Sequence, residues 1–309
     1  MAVLFYSAIM PAEPWRDALL AREPSLDFRI YPEFGAVDAI DCLLAWRPPS
    51  GTFARLPGLR LIYATGAGVD QLFADPELPP NLPIARLVDP AQGNEMAAYV
   101  MAVVLARHRQ LALMADQQRA GEWRFPEYRY VTDLRVGVMG LGALGATVAQ
   151  RLALCGFPVA GWSRRPKQLA GITSYAGADG LDAFLARTDM LICLLPLTPQ
   201  TDGILNATLF RRLPRGAYVV NAARGHHVVD ADLIAALDAG HLSGATLDVF
   251  RKEPLPAEHP FWRHPKVAIT PHVASLAKPD SVADQIIENL RRLGAGAPLL
   301  NQVDRQAGY

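Results

Sequence analysis

The sequence predicts an α/β protein with parallel sheets, arranged as two successive α/β units. Three observations predict it. Short β-rich runs alternate with helical patterns along the whole chain. An apolar run, Val136-Gly137-Val138-Met139, leads into Gly140-Leu141-Gly142-Ala143-Leu144-Gly145 and then into an Ala-rich helical stretch. Between the two units lies a long apolar-periodic stretch that starts at Asn94.

Taken in order, residues 2–7 read as the first strand, 15–22 as a helix, and 27–31, 40–46 and 59–64 as strands. A helix from Asn94 to about 118 follows, long enough to suit a span between lobes. Residues 121–133 (GEWRFPEYRYVTD) form a loop rich in aromatic and charged side chains. The second unit starts at Leu134, with strands at 135–139, 158–162, 190–195, 217–222, 245–249 and 267–270. Its helices are expected at 143–155, 181–187, 207–213 and 231–239, and a last helix at 279–293.

At 309 residues the chain accommodates one large or two ordinary domains and can bury a sizeable core. Hydrophobic content of 51% fits a packed globular protein. Thirty basic residues balance thirty acidic ones, so neither a nucleic acid nor an acidic membrane is an expected partner. No apolar stretch approaches a membrane span. The start, MAVLFYSAIM, has no basic flank and reads as a strand rather than a signal peptide. Cys42, Cys155 and Cys193 are isolated and odd in number. They are expected to be buried core thiols in a reducing, cytoplasmic setting, with neither a disulfide framework nor a metal site.

The glycine turn has the strand–turn–helix context of a dinucleotide fingerprint. Gly140 permits the tight turn, Gly142 lets the backbone approach a pyrophosphate, and Gly145 lets helix and strand pack. The helix start, at Ala143 and Leu144, offers N–H groups to the phosphates. An NAD site would place an acid about twenty residues further on, to bind the ribose 2′-hydroxyl. Here Ser163 stands there, followed by Arg164 and Arg165. A hydroxyl and two guanidinium groups would bind a 2′-phosphate, which a carboxylate would repel, so Ser163, Arg164 and Arg165 are the expected cofactor contacts, NADPH the expected cofactor and NADH the weaker one.

Three further residues sit just past expected strands: Arg224 in NAARG, Glu253 in DVFRKEP and His272 in ITPH. Open α/β sheets place ligands at those carboxyl ends. An arginine can clamp the carboxylate and carbonyl of a 2-keto acid. A histidine can protonate the new alkoxide near neutral pH, and a glutamate can orient it and favour its charged form. The adjacent His226 and His227 share no face, so they are not read as a metal site.

These segments, with their spacing, resemble the D-isomer-specific 2-hydroxyacid dehydrogenases, over the whole chain. The resemblance implies two Rossmann/flavodoxin-like, doubly wound lobes. Residues 1–95 and 276–309 would form the substrate lobe and residues 96–275 the NAD(P)-binding lobe. It implies a homodimer and a small 2-keto acid substrate, such as glyoxylate or hydroxypyruvate. Arg224, Glu253 and His272 become the catalytic set. In the substrate lobe it implies a carboxylate-binding turn with N–H donors at Ala67, Gly68 and Val69, and places Trp46 beside the substrate. Leu195, Pro196, Ala222, Ala223 and Asp248, together with Arg224 and His272, would border the cofactor. Two alternatives stay open: an NAD-dependent dehydrogenase of a bulkier D-2-hydroxy acid, and a non-catalytic NAD(P)-sensing interaction protein.

Overall fold

All twelve strands pair in parallel, in one sheet of five and one of seven. The computed structural model describes residues 1–309. In chain order the elements are β1 (Ala2–Ser7), α1 (Glu13–Leu20), β2 (Asp27–Ile30), β3 (Ile40–Trp46), β4 (Leu61–Ala64), α2 (Asp70–Phe73), β5 (Ile84–Arg86), α3 (Pro90–His108) and α4 (Leu111–Ala120). There follow β6 (Val136–Met139), α5 (Ala143–Leu154), β7 (Val159–Ser163), β8 (Thr173–Ala176), α6 (Gly177–Ala186), β9 (Met190–Cys193), α7 (Ala207–Arg212), β10 (Ala217–Asn221) and α8 (Asp230–Asp238). Then come β11 (Leu242–Leu247), β12 (Val267–Ile269) and α9 (Pro279–Ala295). The chain divides into a smaller unit, residues 1–92 with 276–309, and a larger one, residues 93–275.

In the smaller unit the strand order is β2-β1-β3-β4-β5, the flavodoxin-like order 2-1-3-4-5. Successive residues of β1 point to opposite faces, and both faces are buried. Val3 and Phe5 pack with Trp15 and Leu19 of α1 and with Val282, Ile286 and Leu290 of α9. Leu4 packs on the other side with Phe34, Phe53 and Leu72. That two-sided burial is why the strands read as continuous apolar runs. The four-residue spacing 282, 286, 290 gives α9 one apolar face. Each fully buried side chain of this kind contributes about 1.5–3 kcal/mol.

In the larger unit the order β8-β7-β6-β9-β10-β11-β12 is the dinucleotide-binding order 3-2-1-4-5-6 with one added strand. Val136 and Val138 face Met96, Val100 and Val104 of α3 and Val148 and Leu152 of α5. Met139, Leu191 and Val219 face Phe184, Phe210 and Leu233.

Three expectations need correction. The stretch from Asn94 is two helices, because Gln110 takes a left-handed conformation (φ 54°); its side-chain Nε2 donates to the Glu127 carbonyl at 2.7 Å. The short strands β5 and β8 were not anticipated. Cys42 and Cys193 are buried, but Cys155, at the end of α5, is exposed. No helix is long and apolar enough to cross a membrane.

Candidate active site

The strand order reverses between β6 and β9, and the glycine turn leaves β6 there. Its three glycines answer to three different constraints. Gly140 has φ +101°, and a Cβ would lie 2.5 Å from the Leu194 carbonyl oxygen. At Gly145 a Cβ would lie 1.7 Å from the Gly140 oxygen, so α5 could not start against β6. At Gly142 a Cβ would meet nothing within 4 Å. The first two positions are closed by the protein's own backbone, while the middle one opens outward. Gly142 is also the helix N-cap and gives no side-chain cap, so the first N–H groups of α5 are left for an outside acceptor. Gly142 and Ala143 are exposed, and Leu144 is half-buried. This is the arrangement a pyrophosphate fits. Across the reversal, after β9, Leu195 is buried, and the Pro196 carbonyl accepts from Thr201 Oγ1 at 2.7 Å.

Ser163 ends β7 and is buried, and its hydroxyl donates to the Arg165 carbonyl at 2.7 Å. The hydroxyl proton is therefore used to shape the turn. Arg164 and Arg165 are exposed beyond it.

After β10 the backbone at Arg224 is set by two buried polar residues. Asn221 Oδ1 accepts from the Ala223 N–H, and its Nδ2 donates to the Arg224 carbonyl at 2.9 Å. His227, fully buried, accepts the Arg224 N–H at Nδ1 (3.3 Å). Its Nε2 lies 3.3 Å from the Pro196 carbonyl and must carry the proton. Ala222 and Ala223 are buried beside them, and Arg224 is half-buried. A Cβ at Gly225 would lie 1.9 Å from the Phe250 carbonyl carbon. The Arg224 loop thus packs backbone to backbone on the loop that carries Glu253.

His272 lies three residues past β12, in a left-handed conformation (φ 56°) uncommon outside glycine. Its N–H is held by the Asp248 carbonyl at 2.8 Å. Its Nδ1 is 2.9 Å from Glu253 Oε2, while Glu253 Oε1 accepts the Phe250 N–H at 3.0 Å. With Nδ1–H given to the carboxylate, Nε2 is the nitrogen that can face a reactant. Asp248 is 1% exposed, and its carboxylate accepts from Thr270 Oγ1 (2.6 Å) and from the N–H groups of Val273 and Ala274 (both 3.0 Å). It therefore shapes the His272 loop. Thr270 Oγ1 in turn lies 2.7 Å from the Tyr99 hydroxyl, which must be the donor there. Burial pushes the Tyr99 hydroxyl up to about 12, so it keeps that proton at working pH.

In the smaller unit β4 is followed by Thr65-Gly66-Ala67-Gly68-Val69. The N–H groups of Ala67, Gly68 and Val69 find no acceptor in the protein. Trp46, at the end of β3, is 7% exposed and presses its ring against Gly66, where a Cβ would lie 2.3 Å from Cζ3. Asn221, His227 and Thr270 were missed by sequence reasoning. Each is a single polar residue whose partner is fixed only by the fold, although its place beside a strand end was visible. No group of three or more His, Cys, Asp or Glu side chains is placed to hold a metal.

The family described as "D-isomer specific 2-hydroxyacid dehydrogenase, NAD binding domain" matches residues 101–274. Glyoxylate/hydroxypyruvate reductase A of Yersinia enterocolitica is 41% identical over the full length of both chains. A D-isomer specific 2-hydroxyacid dehydrogenase from Xanthobacter autotrophicus Py2, solved with NADPH and MES, is 46% identical. It superposes with a TM-score of 0.95, over 100% of this chain and 99% of that one. The NADPH-dependent glyoxylate/hydroxypyruvate reductase of Sinorhizobium meliloti, solved with NADP and sulfate, is 38% identical. Its TM-score is 0.93, over 100% and 99% of the two chains. The chain belongs to the D-isomer-specific 2-hydroxyacid dehydrogenase family.

Proposed function

We propose that this protein reduces glyoxylate, hydroxypyruvate and similar small 2-keto acids with NADPH, giving the D-2-hydroxy acid where the product is chiral. The observation that carries the reading is the His272–Glu253 pair, 2.9 Å apart, in the strand-end loops of a sheet whose first turn opens outward at Gly142. Full-length relatives named for glyoxylate and hydroxypyruvate reduction support the substrate class. Similar structures holding NADPH or NADP support the cofactor, as do Arg164 and Arg165.

The turn from Gly140 to Gly145 would hold the cofactor, whose nicotinamide would supply the hydride for the carbonyl carbon. Arg224 is assigned to the substrate's carboxylate and carbonyl oxygen, by charge-assisted hydrogen bonds. In the smaller unit the Ala67, Gly68 and Val69 N–H groups are the proposed carboxylate donors, as an anion cradle of small residues. His272 Nε2–H passes its proton to the carbonyl oxygen as the new C–H bond forms, and Glu253 stabilises the imidazolium before transfer. One 2-keto acid, one hydride and one proton then give one 2-hydroxy acid.

A homodimer is part of the same reading. Trp123 (94% exposed) and Phe125 (86%) stand out in the same segment as the exposed Tyr128 and Tyr130. Apolar area on that scale favours cover by a second copy. The first test follows absorbance at 340 nm with NADPH or NADH and glyoxylate, hydroxypyruvate, pyruvate or phenylpyruvate. Rapid NADPH loss with glyoxylate or hydroxypyruvate is expected. Preference for phenylpyruvate with NADH would favour a dehydrogenase of bulkier acids, and cofactor binding without turnover would favour a sensor.

A further inference from the structure

Arg86 is the last residue of β5 and pairs in register with Ala64, which directly precedes the Thr65–Val69 turn. Its guanidinium is half-buried and makes no ion pair. Burial depresses its pKa, and no acidic neighbour offsets that effect. Arginine nevertheless stays charged in proteins. Its one side-chain hydrogen bond goes to the Ala67 carbonyl, at 3.4 Å. One residue on, Gln71 at the start of α2 donates Nε2–H to the Gly68 carbonyl, at 3.3 Å. In a trans peptide the C=O of one residue and the N–H of the next point to opposite sides. A donor on the Ala67 oxygen therefore turns the Gly68 N–H the other way, and a donor on the Gly68 oxygen does the same for the Val69 N–H. Those are two of the three N–H groups that find no acceptor in the protein. The cationic donor also polarises the Ala67–Gly68 peptide and strengthens its N–H.

We propose that Arg86 and Gln71 are positioning residues for the substrate carboxylate. They hold the turn by its carbonyls, from the side opposite the anion, and so aim the Gly68 and Val69 N–H groups. Trp46, seated where Gly66 lacks a Cβ, fixes the start of the turn. The inference rests on the reading that this turn holds the carboxylate.

The test compares glyoxylate with its uncharged methyl ester as substrates of Arg86→Met, Arg86→Lys, Gln71→Leu and Ala67→Asp. NADPH affinity is measured alongside. Arg86→Met should raise KM for glyoxylate about tenfold, and it should lower the preference for glyoxylate over the ester by a similar factor, with NADPH affinity unchanged. Arg86→Lys should recover most of that loss, because it restores a cationic donor. Gln71→Leu should raise KM by a smaller factor, about threefold. If Arg86→Met does not fold, Gln71→Leu and the shortfall of Arg86→Lys against the wild type carry the test. Ala67→Asp places a carboxylate in the turn and reports on the underlying reading. If Ala67→Asp raises KM for glyoxylate alone while the Arg86 and Gln71 variants keep the wild-type preference, the positioning inference is wrong and the turn still binds the carboxylate. If Ala67→Asp leaves KM unchanged, the carboxylate reading of the turn fails, and the inference with it.

Discussion

Replacing His272 with alanine removes the proposed proton donor while Glu253 keeps its bond to the Phe250 N–H. Turnover of glyoxylate should fall by about a hundredfold or more; wild-type kcat in steady-state assays would take His272 out of the mechanism. Ser163 tests the cofactor argument. Ser163→Asp removes the hydroxyl that donates to the Arg165 carbonyl and sets a carboxylate beside Arg164 and Arg165. The ratio of kcat/KM for NADPH over NADH should drop at least tenfold, by repulsion of the 2′-phosphate. An unchanged ratio would show that this turn does not discriminate.

At the scale of elements, Asp248 binds the loop after β12 to the end of β11 by accepting three hydrogen bonds. Asp248→Asn would turn an N–H₂ toward one of those donors and leave it unpaired. A cost of about 1–3 kcal/mol is expected, read as a lower melting temperature, with kcat lowered as His272 loses its setting. A variant with wild-type melting and kcat would mean that the loop is held by its backbone bonds alone. The same elements show what the sequence could reveal. The glycine turn was legible because the left-handed Gly140 and the close approach of Gly145 to the Gly140 oxygen are demands made within the strand–turn–helix itself, while Gly142, where a Cβ meets nothing, follows from the pyrophosphate fingerprint. Arg224, Glu253 and His272 were legible because their types and strand-end positions suit one chemistry. The strand β5 was not, since three residues carry too little periodicity. Nor was the helix break at Gln110, because a left-handed residue that is neither glycine nor asparagine carries no local mark in the sequence. Arg86 and Gln71 were equally hidden, since each binds a backbone carbonyl that any sequence would supply.

For the molecule as a whole, the alternation of strand and helix indicated parallel sheets, but the order of strands within each sheet follows from tertiary packing and could not be read from the chain. Assembly is the property most open to test. Trp123→Glu combined with Phe125→Glu sets two charges on the exposed arm of the larger unit. Light scattering after gel filtration should show the double variant at half the wild-type mass. A wild-type protein that already runs as a monomer would remove the dimer reading.

At Gly225 the Arg224 loop meets the backbone of Phe250 with no room for a side chain, and Arg251 ties the two loops by donating to the Val228 and His226 carbonyls. Those two loops can therefore diverge only together, as one inherited part, whereas the turn at Ala67 answers to a separate set of neighbours, Trp46, Gln71 and Arg86. Substrate range in descendants of this protein should then change through the smaller unit while the reaction stays constant. Libraries randomised at positions 46 and 67 should yield new 2-keto acid preferences far more often than libraries at 225, which should yield mostly inactive protein.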